Sequence, residues 1–166
     1  ATPCVLPALS GQDQGPAMQK LAAVARQINA RAIIAPATDV ALLAENKVAP
    51  TVWGVHDLPL GRVDAWQSVR QCGDDLVVIQ ATSGSTGMPK CVALTQRNVL
   101  ANLAQNGERL QVDDQDVQVC WLPLYHDMGL IGCFLFVLYW QMQGVFFTPF
   151  HFLRDPKVWL AAISHY

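Results

Sequence analysis

A run of small hydroxylated residues that ends in a lysine follows a short apolar segment. The run is Thr82–Lys90, with the sequence TSGSTGMPK. Glycines let backbone N–H groups turn towards an anion, hydroxyl groups add hydrogen-bond donors, and a lysine ammonium group neutralises negative charge. The run therefore predicts an exposed phosphate-binding loop between two strands, although the same composition is also typical of a flexible surface loop.

The candidate phosphate-binding residues are the hydroxylated residues, glycines and lysine of this run: Thr82, Ser83, Gly84, Ser85, Thr86, Gly87 and Lys90. The spacing excludes a P-loop, because the pattern G-x-x-x-x-G-K-[ST] does not occur in the chain. It also excludes the nucleophile elbow of hydrolases, because G-x-S-x-G does not occur.

A second polar group, His126 and Asp127, lies between a predicted strand and a very apolar predicted helix. Loops that follow strands often carry functional side chains, and an imidazole there could donate to a carboxylate or a phosphate. A histidine that bonds to backbone groups at the end of a strand is the alternative, and the residues alone leave it open. Because open parallel sheets bind ligands beyond the carboxyl ends of their strands, we expect His126 and Ser85 to approach one cleft.

Alternating strands and helices must position these residues, and the pattern predicts an α/β layered fold with a largely parallel sheet. Short apolar runs rich in β-branched residues predict the strands, and 3.6-residue periodicity predicts the helices. The predicted strands are Arg31–Pro36, Thr51–Val55, Asp75–Ala81, Lys90–Leu94, Val117–Leu122 and Gly144–Thr148. The predicted helices are Met18–Ile28, Asp39–Glu45 with Thr38 as its cap, Gln96–Leu110, Gly129–Met142 and Asp155–His165.

The composition limits the class of protein. The chain has 166 residues, of which 52% are hydrophobic and only 14% charged, against roughly 25% charged residues in an ordinary domain. The low charge, together with chain ends that lack a starting methionine and stop inside a helical pattern, leads us to expect part of a larger protein. The net charge of −2 gives no indication of a nucleic-acid or anionic membrane surface.

The cysteines and histidines are scattered. The five cysteines form no C-x-x-C pair, which favours buried reduced thiols over a disulfide framework or a zinc site, and we expect no protein-bound metal cluster. The apolar run Leu130–Trp140 is shorter than the roughly 20 residues of a membrane span. These features predict a cytoplasmic protein.

The run TSGSTGMPK resembles the phosphate-binding signature of the acyl- and aryl-adenylating superfamily, which includes acyl-CoA synthetases, nonribosomal adenylation domains and luciferases. The stretch Trp121–Gly132, WLPLYHDMGLIG, is similar to the second core motif of that superfamily in the form found in fatty acyl-AMP ligases. The segment from Thr148 to Ser164 also resembles those ligases. The chain departs from the pattern at Cys91, where glycine is usual, and at Gln96, where histidine is common.

The resemblance implies that residues 1–166 are part of the N-terminal adenylation (AMP-binding) domain, without the C-terminal domain. It implies that a carboxylic acid, in this case a fatty acid, reacts with ATP and Mg²⁺ to give an acyl-adenylate and pyrophosphate. The acyl group would then pass to the thiol of an acyl carrier protein or of CoA. His126 would be catalytic, and His126, Asp127, Met128 and Gly129 would border the acid.

Other functions stay open from the sequence. The chain could be a non-catalytic nucleotide-binding or scaffold module, or it could belong to an enzyme that adenylates an aryl or amino acid. The later motifs of the superfamily and its catalytic lysine do not occur in these residues, so we expect little or no activity without the rest of the parent enzyme. The helix after Gly129 is apolar nearly all round, which predicts a buried core helix, although some of its residues could line an acyl channel.

Overall fold

Helices and short strands alternate along the chain, which confirms the α/β class. A computed structural model of the protein describes residues 1–9, 14–58, 61, 69–82 and 89–166. The chain divides into two units. The first unit consists of Ala1–Val5, Cys72–Gln80 and Ala93–Tyr166, and the second of Leu6–Gln71 and Ala81–Val92.

The elements lie close to their predicted positions. The strands are β1 (Ile33–Ala35), β2 (Val52–Gly54), β3 (Leu76–Thr82), β4 (Lys90–Thr95), β5 (Val117–Cys120) and β6 (Gln143–Phe146). The helices are α1 (Gln14–Gln27), α2 (Ala37–Glu45), α3 (Gln96–Leu110), α4 (Asp127–Gly129), α5 (Phe136–Trp140), α6 (Pro149–Arg154) and α7 (Lys157–His165), with a 3₁₀ turn at Val55–Asp57. The bounds of α3 agree with the prediction, whereas α6 was not predicted.

In the second unit, β1 and β2 pair in parallel, with Ile33 opposite Val52 and Ala35 opposite Gly54. Helices α1 and α2 cover this pair. The buried residues of its core are Leu9, Ala25, Ala35, Leu43 and Val48. The predicted parallel arrangement is therefore present here as a two-stranded sheet.

The start of α2 differs from the prediction that Thr38 caps it. The helix begins at Ala37, and Pro36 occupies the N-cap position without a side-chain bond. Thr38 therefore lies inside the first turn, where its hydroxyl donates to Asp39 Oδ1 at 3.0 Å. The other carboxylate oxygen of the buried Asp39 accepts from the Leu9 N–H at 3.1 Å. An acidic side chain thus bonds the backbone that precedes α1, while the proline sets where α2 starts.

In the first unit, β5 and β6 also pair in parallel, with Val117 opposite Gln143 and Cys120 opposite Phe146. Helix α3 begins with a capping interaction, because the Thr95 hydroxyl accepts from the Asn98 N–H at 3.2 Å. The buried residues of this core are Val78, Val99, Leu103, Leu130 and Phe136.

The stretch between β5 and β6 was predicted as one helix, Gly129–Met142. It begins earlier, as α4, continues through the π-helical segment Leu130–Leu135, and ends as α5. Only one face of it is buried: Phe134, Leu138 and Tyr139 are exposed. The expectation of a helix buried all round is therefore wrong for this unit.

Four helices end with the same backbone device. A residue other than glycine takes a left-handed conformation, with φ between 50° and 59°, just after each of α1, α2, α3 and α5. The next N–H then donates to the carbonyl five residues earlier, as in a Schellman motif. The left-handed residues are Asn29, Lys47, Gln111 and Gln141, and the bonds are Ala30 to Ala25, Val48 to Leu43, Val112 to Gly107 and Met142 to Val137.

Three aromatic rings attach α6 and α7 to the end of β5. Trp121 stacks on Phe152 with ring centroids 3.9 Å apart and an interplanar angle of 1°. Phe152 meets Trp159 edge to face at 6.1 Å. The Trp159 indole N–H donates to the Val119 carbonyl at 3.1 Å. These contacts fix the segment after β6 against the strand that leads towards His126.

Helices α3 and α5 meet where a glycine faces a tryptophan. The Trp140 indole N–H donates to the Leu103 carbonyl at 3.0 Å, which places the ring across Gly107. A Cβ atom on Gly107 would overlap the indole ring. The close approach of the two helices therefore depends on the absence of a side chain at this position.

Gly107→Ala is expected to lower the free energy of unfolding by about 1–3 kcal/mol, because the added methyl group forces the indole and α3 apart. Chemical denaturation followed by circular dichroism measures this change. Gly132→Ala is the matched control, since its added Cβ would meet Met128 Cγ at an ordinary 3.5 Å. Equal losses in the two variants would contradict the packing argument.

Candidate functional site

The two strands that flank the predicted phosphate loop are present. Strand β3 ends at Thr82 and β4 begins at Lys90, and the two strands are neighbours in one sheet. The Thr82 hydroxyl donates to the Lys90 carbonyl at 3.4 Å, so the two ends of the loop are held together. The two residues that flank the predicted loop are therefore close in space.

Most of the candidate loop residues lie outside the described residues. They are Ser83, Gly84, Ser85, Thr86 and Gly87. Their role in phosphate binding stays a prediction. Lys90 itself is exposed at the first position of β4, where its ammonium group is accessible.

The thiol next to Lys90 gives no sign of nucleophilic chemistry. Burial raises the pKa of Cys91. Because the thiolate is the reactive form of cysteine, a raised pKa lowers its nucleophilicity at neutral pH. The departure from glycine at this position therefore adds a partly buried thiol to β4.

His126 caps the short helix α4. Its backbone is extended, and its Nδ1 accepts from the Met128 N–H at 3.2 Å. The Asp127 carboxylate accepts from the same N–H at 2.7 Å. His126 thus lies where the loop after β5 ends and the helix begins, as the sequence predicted. Met128 is exposed beside it.

The ring of His126 has two arrangements in this turn. Nδ1 lies 2.7 Å from Asp127 Oδ1, so a proton on Nδ1 is donated to the carboxylate and leaves Nε2 as an acceptor. With the proton on Nε2, Nδ1 accepts from Met128 and Nε2 becomes a donor. The side chains are 57% and 68% exposed, so as an ion pair they contribute no more than about 1 kcal/mol of stability. Asp127 is therefore suited to orienting the ring rather than to stabilising the fold.

Gly129 lets the helix start close to the preceding loop. A Cβ atom at this position would overlap the Pro123 carbonyl and lie 3.0 Å from the Leu122 carbonyl oxygen. Its backbone is ordinary right-handed helix, so space rather than conformation requires glycine. Gly129 therefore contributes to the predicted site by fixing the approach of the helix to the loop that carries His126.

Two glutamines bond to the backbone near this turn, and sequence reasoning missed both. Gln80 on β3 donates to the Tyr125 carbonyl at 2.8 Å, and Gln118 on β5 donates to the Gly132 carbonyl at 3.2 Å. Gly132 lies in the π-helical segment, where the helical hydrogen-bond pattern is altered and a side chain can bond a carbonyl. The sequence does contain a signal for both residues, since each is a single amide side chain within an apolar run that predicts a strand.

The predicted residues fall into two groups that the structure describes separately. Thr82 and Lys90 belong to the second unit, and His126, Asp127, Met128 and Gly129 belong to the first. Within each group the neighbours are brought together as described above. The shared cleft of His126 and Ser85 stays a prediction.

Two buried thiols, Cys120 at the end of β5 and Cys133 in the π-helical segment, lie near each other. Burial, and then the neighbouring Cys120, raise the pKa of Cys133 to about 12. The five cysteines, all within the described residues, form no disulfide with one another, and Cys72 is exposed. Cys133 is therefore a structural thiol that stays protonated at physiological pH.

Residues 9–166 match the AMP-binding enzyme family, and the chain belongs to this family. The medium-chain-fatty-acid–[acyl-carrier-protein] ligase TtuA of Teredinibacter turnerae is 43% identical over 93 residues, covering 56% of this chain and 14% of that protein. The long-chain-fatty-acid–AMP ligase FadD26 of Mycobacterium marinum is 32% identical over 138 residues, covering 80% and 24%. The chain thus spans about a fifth of the length of these relatives.

A solved structure is similar over most of the chain. It is the fatty acyl-adenylate ligase from L. pneumophila in complex with acyl adenylate and pyrophosphate. The likeness has a TM-score of 0.80 at 30% identity and covers 90% of this chain and 26% of that one. The predicted resemblance to fatty acyl-AMP ligases is thereby confirmed at the level of family and fold.

Thiol reagents are expected to separate the cysteines. At pH 8 a thiol of pKa about 12 is ionised in roughly one molecule in ten thousand, so Cys133 should be unreactive while Cys72 reacts fast. Labelling of Cys133 should rise about tenfold per pH unit as the pH approaches 12, provided that the fold persists. Peptide mass spectrometry after timed labelling locates the modified residues, and Cys72→Ser should remove the fast phase. Fast labelling of Cys133 in the folded protein at pH 8 would overturn this assignment.

Proposed function

We propose that this chain forms part of an enzyme that activates a fatty acid with ATP, giving an acyl-adenylate and pyrophosphate. The observation that carries the proposal is the pair of joined strand ends, Thr82 and Lys90, around the segment TSGSTGMPK in a member of the AMP-binding enzyme family. The acyl adenylate and pyrophosphate bound to the L. pneumophila ligase support the same chemistry.

In the proposed reaction, a carboxylate oxygen of the acid attacks the α-phosphorus of ATP. The bond between that phosphorus and the oxygen bridging to the β-phosphate breaks, and pyrophosphate leaves with the electron pair. The residues from Thr82 to Lys90 would hold the β- and γ-phosphates that leave together. The Lys90 ammonium group would stabilise their negative charge, which is a main source of rate in phosphoryl chemistry.

His126 would position the acid. With its proton on Nε2, the ring can donate to the carboxylate or to an α-phosphate oxygen, while Asp127 and Met128 hold the other side of the turn. Gly129 would keep the helix close enough for this turn to form. Orientation of the two reactants is the contribution we assign to these residues.

Mg²⁺ would accompany ATP. Within the described ranges of the chain, no group of three or more His, Cys, Asp or Glu side chains could hold a metal ion. The described residues therefore do not fit a site made by protein ligands, and we derive no step through the ion. Mg²⁺ in such reactions is commonly carried by the substrate phosphates themselves.

The complete activity belongs to a longer polypeptide in this proposal. Residues 1–166 would be part of its N-terminal adenylation domain. The segments that match the chain make up only 14% and 24% of the two relatives' lengths. The acyl group would pass to a carrier-protein phosphopantetheine thiol or to CoA, and the name of the T. turnerae relative favours the carrier protein. Five thiols that form no disulfide among the described residues support a cytoplasmic location. The helices that the structure describes include no candidate for a membrane span.

Exchange of labelled pyrophosphate into ATP tests this function, because it requires reversible formation of an acyl-adenylate. The full-length enzyme is expected to exchange label only when a fatty acid is present, and the 166-residue chain alone to exchange little or none. Exchange that depends on an aryl or amino acid would indicate the other substrate classes. No exchange with any acid in the full-length enzyme would leave a nucleotide-binding or scaffold module.

Lys90→Ala in the full-length enzyme is expected to lower kcat/KM for ATP by about 10- to 150-fold. Charge-assisted bonds of a lysine to phosphate oxygens are worth roughly 1.5–3 kcal/mol, and the variant loses them while the fold is kept. Steady-state adenylation measures the loss, and thermal unfolding checks the fold. Lys20→Ala is the control, because Lys20 is an exposed lysine on α1 of the same unit. Unchanged ATP kinetics in folded Lys90→Ala would remove this side chain from the site.

His126→Asn is expected to lower kcat/KM for the fatty acid by about 10- to 100-fold, because asparagine can still cap α4 but does not place a donor where Nε2 lies. The KM for ATP should change much less. Adenylation measured over a range of fatty-acid concentrations separates the two effects. His165→Asn, at the exposed end of α7, is the matched control. Equal effects of the two substitutions would argue against a positioning role for His126.

A further inference from the structure

A buried glutamine on β3 reaches the loop that carries His126. Gln80 is only 6% exposed and stands in an otherwise apolar strand, next to Val78 and Ile79. Its amide nitrogen donates to the Tyr125 carbonyl oxygen at 2.8 Å, across 45 residues of sequence. Burial of an amide within an apolar strand costs free energy unless its hydrogen bonds are made, and the bond to Tyr125 offsets this cost.

The peptide group between Tyr125 and His126 is held at both of its polar atoms. Its carbonyl oxygen accepts from Gln80, and its N–H donates to the Pro123 carbonyl at 3.0 Å. The carbonyl of His126 in turn accepts from the Leu130 N–H at 2.9 Å. The backbone on either side of the His126 Cα atom is therefore fixed by hydrogen bonds.

Packing of side chains does not supply this constraint. The Tyr125 side chain is exposed, with 42% of the residue accessible, and the His126 side chain is 57% exposed. The turn therefore presents its side chains to solvent while its backbone is anchored. Among the anchors, only Gln80 comes from a different secondary-structure element, since Pro123 and Leu130 are within a few residues of His126 along the described chain.

We propose that Gln80 is a positioning residue for His126 in the adenylation reaction, an inference that rests on the proposed function. The strand that carries Gln80 ends two residues later at Thr82, where the phosphate segment begins. One strand would thus lead into the phosphate loop and also orient the histidine turn. Gln80 would act through the Tyr125–His126 peptide group.

The chemistry of the side chain fits this role. A glutamine amide has two N–H donors on a chain long enough to leave a buried strand, and its neutral charge avoids the cost of a buried ion. Methionine fills a similar volume but cannot donate. Asparagine keeps the amide but is one methylene shorter and cannot span the same 2.8 Å bond without movement of the strand.

The test is a double-mutant cycle in the full-length enzyme with Gln80→Met, His126→Asn and the double variant. Gln80→Met is expected to lower kcat/KM for the fatty acid about 10-fold, the effect of one lost hydrogen bond, with little change in the KM for ATP. The double variant should be no more than about twofold worse than His126→Asn, because both substitutions remove the same positioned donor. Losses that multiply, or full activity in Gln80→Met, would overturn the proposal.

Gln118→Met is the matched control, since Gln118 makes the same kind of amide bond to a backbone carbonyl in the same unit, at Gly132. Its effect, where there is one, should multiply with that of His126→Asn. Gln80→Asn provides a second variant if Gln80→Met does not fold, and it should show the same coupling to His126. Coupling of Gln118 as strong as that of Gln80 would contradict a specific role.

An NMR measurement separates this proposal from the proposed function. The His126 Cε1–H resonance, assigned with His126→Asn, should shift and broaden in Gln80→Met and stay in place in Gln118→Met. If the wild-type enzyme shows no acid-dependent exchange, the function fails while the resonance still reports whether Gln80 orients His126. An unchanged His126 resonance in Gln80→Met would overturn the positioning role whatever the activity.

Discussion

Buried polar groups need hydrogen-bond partners, and in the first unit several side-chain N–H groups find theirs at backbone carbonyls. Four side-chain N–H groups reach from one element to a carbonyl of another. The bonds run from Gln80 to Tyr125, from Gln118 to Gly132, from Trp140 to Leu103 and from Trp159 to Val119. Each joins elements that the short parallel strands alone would not hold together. One of these bonds, from Gln80, contacts the backbone of the His126 turn.

The same arrangement explains how an exposed turn can have a defined geometry. A functional side chain must be accessible to its substrate, and accessible side chains have few packing neighbours. In this chain, hydrogen bonds to Pro123 and Gln80 hold the backbone of the His126 turn. The imidazole of His126 itself is exposed. Gly129 contributes to the same end by letting the helix approach the Pro123 carbonyl.

Local patterns predicted the elements well, whereas contacts between distant residues could not be predicted. Helix α3 was located residue for residue because its amphipathic pattern starts at the Thr95 cap. Helix α6 was missed because a stretch of six residues that begins with a proline is too short to show helical periodicity. The π-helical segment was missed because a run apolar on every side gives no register. The partner of Gln80 lies 45 residues away, and sequence spacing contains no information about it. For the site, residue types and placement indicated both motifs and the resemblance implied their roles, whereas the bonds around them became visible only in the structure.

The left-handed residues at the helix ends have a consequence for protein engineering and for evolution. Glycine occupies this conformation without the steric cost that a side chain carries. Replacing Lys47, Gln111 or Gln141 by glycine would therefore raise the stability of the chain. These positions terminate helices away from Lys90 and His126 in the sequence. Glycine substitutions at these positions could add stability and so let the chain tolerate destabilising changes near the candidate site. Stability added at the helix ends would thus offset the destabilising effect of substitutions elsewhere in the chain.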